Sequence, residues 1–162
     1  MIVWLVGMPG SGKSAVGAEV AERLGLRFVD ADREVERRAG RDIPAIFAEA
    51  GEEGFRSLET EVIVDLATQD GVVIAAGGGA VLRPANREAM RASGAVVLLD
   101  APVEALRSRV GNGDGRPLLE GATLAALAAE RSAAYRAAAH HVVDASAPID
   151  EVVETVLEAV AP

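Results

Sequence analysis

The chain has 162 residues, half of them apolar, which is enough for one compact domain with its own core and leaves little room for a second. Its 16 basic and 25 acidic residues give a net charge of -9, which opposes wrapping nucleic acid or lying on an anionic membrane, so any bound anion must be held by a local pocket. There is no cysteine, which excludes disulfides and thiolate metal sites and suits a reducing compartment, and the adjacent His140 and His141 have no cysteine with which to build a zinc site.

The apolar run Ile2 to Val6 comes with no basic leader and is too short to span a membrane, so it predicts a first buried strand. Other apolar runs are equally short and broken by glycines or charges, and the expectation is a soluble, cytoplasmic chain acting as a monomer. Ser14 to Leu24 sets Val16, Val20, Ala21 and Leu24 on one helical face, with Gly25 placed to end the helix. Arg27 to Val29 predicts a second strand ending at Asp30. A mostly helical stretch follows from Arg33 to about Thr68, interrupted near Gly40 and Gly51, and its part from about 33 to 60 is a candidate substrate-holding insertion.

Val72 to Ala75 reads as the next strand. Pro84 opens a helix reaching Arg91, Ala95 to Leu99 is a fourth buried strand, and Pro102 falls in the first turn of another helix. Gly111 to Gly115 is the most flexible composition in the chain and leads into Arg116-Pro117-Leu118-Leu119, so a mobile flap is expected over about 110–121. A helix from Leu124 to Ala138, a strand from His141 to Val143 and a last helix lined by Val152, Val153, Val156, Leu157 and Val160 complete the series. Strands alternating with helices predict an α/β fold in three layers, a five-stranded parallel sheet flanked by helices.

Gly7 to Ser14, GMPGSGKS, fits G-x-x-x-x-G-K-[ST] and lies between a predicted strand and a predicted helix, the setting of a P-loop. Such a turn aims backbone N–H groups at phosphate oxygens and adds the positive end of the helix dipole. Lys13 is then suited to the β- and γ-phosphates of ATP, and Ser14 to Mg²⁺. Gly10, Ser11, Gly12, Lys13, Ser14 and Ala15 are the candidate nucleotide contacts. Lys13 is the sole lysine among 16 basic residues, where a compact ammonium fits a tight cradle better than a guanidinium. A GTPase base-reading N-K-x-D motif is absent, and the chain is short for helicases or transporters, which leaves a small-molecule kinase.

Asp30 and Asp32 close the second strand at the sheet edge where open α/β folds bind ligands. Two apart in extended chain, they are expected to face one crevice, one near the metal and the other receiving a hydrogen bond from the acceptor hydroxyl. The structural alternative is that Asp32 caps the helix beginning at Arg33.

Taken together these motifs resemble the shikimate kinase family over nearly the full length. Gly7 to Ser14 looks like its P-loop, Asp30-Ala31-Asp32 its D-x-D, and Phe55-Arg56-Ser57-Leu58-Glu59 its F-R-x-x-E. Gly77-Gly78-Gly79 resembles its glycine turn, Arg116 to Leu119 its flap motif, and Arg131 with Tyr135 its R-x-x-x-Y segment. The resemblance implies transfer of the ATP γ-phosphate to the 3-hydroxyl of shikimate. It implies that Arg56 and Arg131 clamp the substrate carboxylate, with Gly77, Gly78 and Gly79 against the substrate and Asp32 as proton acceptor. Asp30 and Ser14 are assigned to Mg²⁺, Arg116 to the transition-state phosphates and Arg109 to the nucleotide.

Two departures from the family pattern stand out: Ala15 replaces a second hydroxyl, and residues 144–148 lack the arginine that some members set against adenine. Gluconate and nucleoside-monophosphate kinases share the P-loop and flap, and a nucleotide-sensing module without turnover is the reading from another class. Those kinases would not require F-R-x-x-E beside a triple-glycine turn, and a sensing module would leave the paired arginines and Asp32 without an explanation.

Overall fold

The computed structural model describes residues 1–110 and 123–162. The predicted flap and Arg116 therefore lie outside the described residues. Five parallel strands form one sheet in the order β2-β3-β1-β4-β5, where β1 is Ile2–Val6, β2 Arg27–Asp30, β3 Val72–Ala75, β4 Ala95–Asp100 and β5 His141–Asp144. Central β1 pairs with β3 (Trp4 with Ile74) and with β4 (Trp4 with Val96). Burial on both faces explains why these strands read as continuous apolar runs.

The period-two alternation of the strands divides the core in two. Val3, Leu5, Val73, Val97 and Leu99 face α1 (Lys13–Leu24) and α7 (Ile149–Val160), with Val16, Val20, Val153 and Val156 filling that side. Trp4, Ile74, Val96 and Leu98 point the other way. They pack with Val35 of α2 (Ala31–Ala39), Ile63 of α3 (Ile43–Leu66), Met90 of α4 (Pro84–Ser93), Leu106 of α5 (Val103–Val110) and Tyr135 of α6 (Leu124–Ala138). These are the three layers that the strand and helix rhythm predicts.

From β1 the chain goes first to one side of the sheet, to β2 and β3, and later to the other, to β4 and β5. The carboxyl end of β1 is thus where the strand order reverses, and a crevice opens there. The helical stretch predicted from Arg33 is two helices. Gly40, at φ 70°, ends α2 by donating to the Glu36 carbonyl at 2.9 Å, and Gly51 kinks α3 with φ 69° and ψ -175°.

The start of α2 corrects the sequence reading. The helix begins at Ala31, and its cap is Asp30: Asp30 Oδ1 accepts from the amides of Asp32 at 3.0 Å and Arg33 at 3.3 Å. Asp32 therefore lies in the first helical turn and neither caps it nor continues the extended strand. Two orphan amides captured by the last strand residue fold the chain straight from strand into helix.

Candidate functional site

The turn after β1 wraps the amino terminus of α1. Gly12 stands at the N-cap with φ 93°, a left-handed conformation that a side chain would strain. Lys13 Nζ lies over this turn, donating to the carbonyls of Gly7 at 2.8 Å and Met8 at 3.0 Å. Its ammonium is thereby held at the mouth of an anion cradle made by the helix end. Gly10, Gly12, Ser14, Ala15 and Arg109 line the same cleft, of about 320 Å³, and Arg109 donates to the Gly10 carbonyl at 3.3 Å. Ser11 is buried within the turn, and its side chain does not line this cleft.

Where the turn enters α1, Ser14 Oγ donates to Asp30 Oδ2 at 3.0 Å. A hydroxyl and a carboxylate at that spacing are hard oxygen donors suited to Mg²⁺, which characteristically takes few protein ligands and completes its shell with water and phosphate. No cluster of three or more His, Cys, Asp or Glu that could hold a metal occurs among the described residues. Asp30 thus joins two jobs, with one oxygen on the helix cap and the other toward Ser14.

The opposite wall is the turn after β3. Asp32, Gly77 and Gly78 share the cleft with the P-loop residues. A Cβ on Gly77 would lie 2.6 Å from Asp32 Oδ1 and 2.8 Å from Glu59 Oε2, one on Gly78 would lie 3.0 Å from Arg131 Nη1, and one on Gly79 would collide with the Arg56 guanidinium. Bare glycine backbone is what allows two carboxylates and two guanidinium groups to close around one turn.

Arg56, Glu59 and Arg131 are almost fully buried, at 5, 1 and 3 % exposure. Arg56 Nη1 donates to Glu59 Oε1 at 2.8 Å, while Arg56 Nη2 and Arg131 Nε find no hydrogen-bond partner among the described residues. Buried guanidinium N–H groups are costly to leave unpaired and are matched by a carboxylate, so this pocket has the donors for an organic acid. Burial raises the Glu59 carboxyl above its usual range; the Arg56 guanidinium opposes that rise and the charge of Asp32 adds to it.

The predicted site residues of the P-loop, the D-x-D, α3, the glycine turn and α6 thus converge at the carboxyl edge of the sheet. Glu59 and Tyr135 are site residues to which the sequence reading gave no role. Tyr135, 4 % exposed, donates its hydroxyl to the Gly78 carbonyl at 2.5 Å. Helical spacing could have found both, since Glu59 is three residues after Arg56 and Tyr135 four after Arg131. Pro9 was missed as well: its ring packs where a Gly78 Cβ would point, joining the two walls of the cleft.

A model of the shikimate kinase family matches residues 9–161. Among curated proteins, the shikimate kinase of Symbiobacterium thermophilum is 54% identical over 147 residues, 86% of this chain and 84% of the relative. That of Salinibacter ruber is 46% identical, with 99% and 84% covered. The structure of the Acinetobacter baumannii shikimate kinase in complex with shikimate superposes with a TM-score of 0.93 at 38% identity, covering 98% of this chain and 91% of that one.

Proposed function

The chain belongs to the shikimate kinase family, and on that premise we propose that its cleft moves the γ-phosphoryl group of ATP onto the 3-hydroxyl of shikimate, in the route to chorismate and the aromatic amino acids. One observation carries the reading: a phosphate cradle and a buried double-guanidinium pocket meet at Gly77 and Gly78, with the Asp32 carboxylate between them. Phosphoryl transfer needs positioning and charge compensation more than covalent chemistry, and both are supplied here.

In the proposed reaction Arg56 and Arg131 hold the shikimate carboxylate, and Asp32 receives the hydroxyl proton as the oxygen attacks the γ-phosphorus. The new O–P bond replaces the bond to the β,γ-bridging oxygen, and ADP leaves with that electron pair. Lys13 and the backbone of residues 10–15 hold the triphosphate, with Arg109 at the nucleotide end. Arg116 keeps, on its motif, the part of offsetting charge on the transferring group. Ser14 and Asp30 would hold Mg²⁺, whose charge when bound offsets that of the phosphates.

The same reading takes residues 1–162 as one domain, with 33–60 holding the acceptor and 110–121 covering the site, and takes the chain as a cytoplasmic monomer. No helix among the described residues is long and apolar enough to cross a membrane. A net charge of -9 favours small anions in a pocket over nucleic acid or bilayer surfaces. Measuring ADP release with Mg²⁺ and ATP against shikimate, gluconate and nucleoside monophosphates tests the substrate. Turnover with shikimate alone is expected. Faster turnover with gluconate or a nucleotide would give the chain to a rival kinase, and binding of ATP without any turnover would make it a sensor.

A further inference from the structure

Arg131 and Tyr135 stand one turn apart on α6, and both are buried where that helix meets the glycine turn. The Tyr135 hydroxyl points at the Gly78 carbonyl, and Arg131 Nη1 comes within 3.0 Å of where a Gly78 Cβ would sit, so phenol, guanidinium and turn touch at a single residue. We propose, resting on the kinase reading above, that Tyr135 is a positioning residue for the substrate carboxylate, pinning the Gly78 carbonyl so that the turn and Arg131 hold one arrangement before substrate arrives.

The need for a pin follows from the local chemistry. Consecutive glycines rotate more freely than any other residues, yet each peptide plane is rigid, so holding the Gly78 carbonyl also fixes the direction of the Gly79 N–H on the opposite edge. The hydroxyl is a durable donor. Burial pushes its pKa up to about 12, against the lowering effect of the Arg131 charge and hydrogen bond, so it keeps its proton at any working pH. Arg131 gains in turn, because a guanidinium braced against the phenol is already oriented when the carboxylate arrives, and preorganisation of this kind strengthens binding without a new contact.

The bland alternative is that Tyr135 only fills the core beside Met90 and Leu127. Tyr135→Phe separates the two, since it keeps the ring and deletes the hydroxyl. We expect the KM for shikimate to rise about tenfold, the scale of one lost hydrogen bond to a well-ordered partner, while the KM for ATP stays within about twofold. The analogue whose carboxylate is reduced to hydroxymethyl supplies the control. With it the ratio of wild-type to variant kcat/KM is expected to fall toward one, because the pinned clamp has no carboxylate to hold. A shikimate KM within twofold of wild type would overturn the assignment. So would an equal loss for shikimate and the analogue, or a rise in both KM values with a lowered Tm, each the mark of a core residue. Wild-type protein that fails to turn over shikimate would overturn the kinase reading and this assignment together, and that result is seen before any variant is made.

Discussion

Arg56 and Glu59 face each other one turn apart on α3, with Nη1 donating to Oε1 at 2.8 Å and both side chains more than nine-tenths buried. The guanidinium lies against the glycine turn and its Nη2 has no hydrogen-bond partner among the described residues, which under the proposed function leaves it for a substrate carboxylate. Removing one partner of a buried ion pair abandons the other charge in a poor solvent, at a cost of about 3–5 kcal/mol. Glu59→Ala is therefore expected to lower Tm by roughly 10 °C for a domain of this size and to raise the KM for shikimate more than that for ATP. Calorimetry and steady-state kinetics check the two parts, and a variant with wild-type Tm would show the pair to be idle.

Much of this arrangement was legible in the residues. The five strands stand within a residue or so of where the apolar runs put them, and the inner three, β1, β3 and β4, are buried on both faces and need such runs. The P-loop pattern located the cradle because its chemistry is local, being carried by consecutive backbone groups. Glu59 and Tyr135 stood in quoted motifs without a role: helical spacing sets each one turn from its arginine, Glu59 from Arg56 and Tyr135 from Arg131, whereas the meeting of Tyr135 with Gly78, 57 residues away, is a tertiary contact that spacing along one sequence does not announce. The D-x-D was read correctly in its destination and wrongly in its route. Alternation assumed a strand through Asp32, whereas capping by Asp30 had already begun a helix.

That route yields a separable prediction for the two aspartates. Asparagine is as good an N-cap as aspartate, so Asp30→Asn should keep Tm while weakening the site beside Ser14, raising the Mg²⁺ concentration needed for half-maximal rate. Asp30→Ala should do the same and also lose about 1 kcal/mol of stability. Asp32→Asn should leave both the Mg²⁺ requirement and Tm in place and lower kcat by about 10²-fold or more, the usual scale for losing a general base. Mg²⁺ titrations of all three variants decide the matter. A changed Mg²⁺ requirement in Asp32→Asn alone would exchange the roles.

Gly79→Ala tests the packing of the acceptor pocket. The added methyl would fall within 2.6 Å of Arg56 Cζ, and a guanidinium held by Glu59 in a buried site has little room to yield. Overpacking of this kind costs about 1–3 kcal/mol. Its functional effect should be confined to one substrate: the KM for shikimate rises at least about tenfold, with nucleotide affinity measured by calorimetry preserved. Equal weakening of both ligands would mean that the turn serves the whole cleft rather than the carboxylate.

Protonation of His140 should loosen the edge of the sheet. Its Nδ1 accepts from the Val96 amide at 3.0 Å and its own amide donates to the Val96 carbonyl at 2.8 Å, so one residue brackets the start of β4 from the β5 side. An imidazole that accepts through Nδ1 must leave that nitrogen unprotonated. Burial, aided by the charges of Arg91 and His141, holds its pKa below the ordinary 6.5. Because the folded value is the lower one, the unfolded chain binds the proton more readily. The stabilisation is complete above pH 6.5 and is lost as pH falls toward and through the folded value. His140→Asn offers an acceptor oxygen near the place of Nδ1 and does not titrate. Between pH 7.5 and 5 the wild-type Tm should therefore fall further than that of His140→Asn, by about 2 °C, with the carboxylate contributions common to both cancelling in the difference. Parallel Tm profiles across that range would show that the imidazole proton has no hold on the sheet.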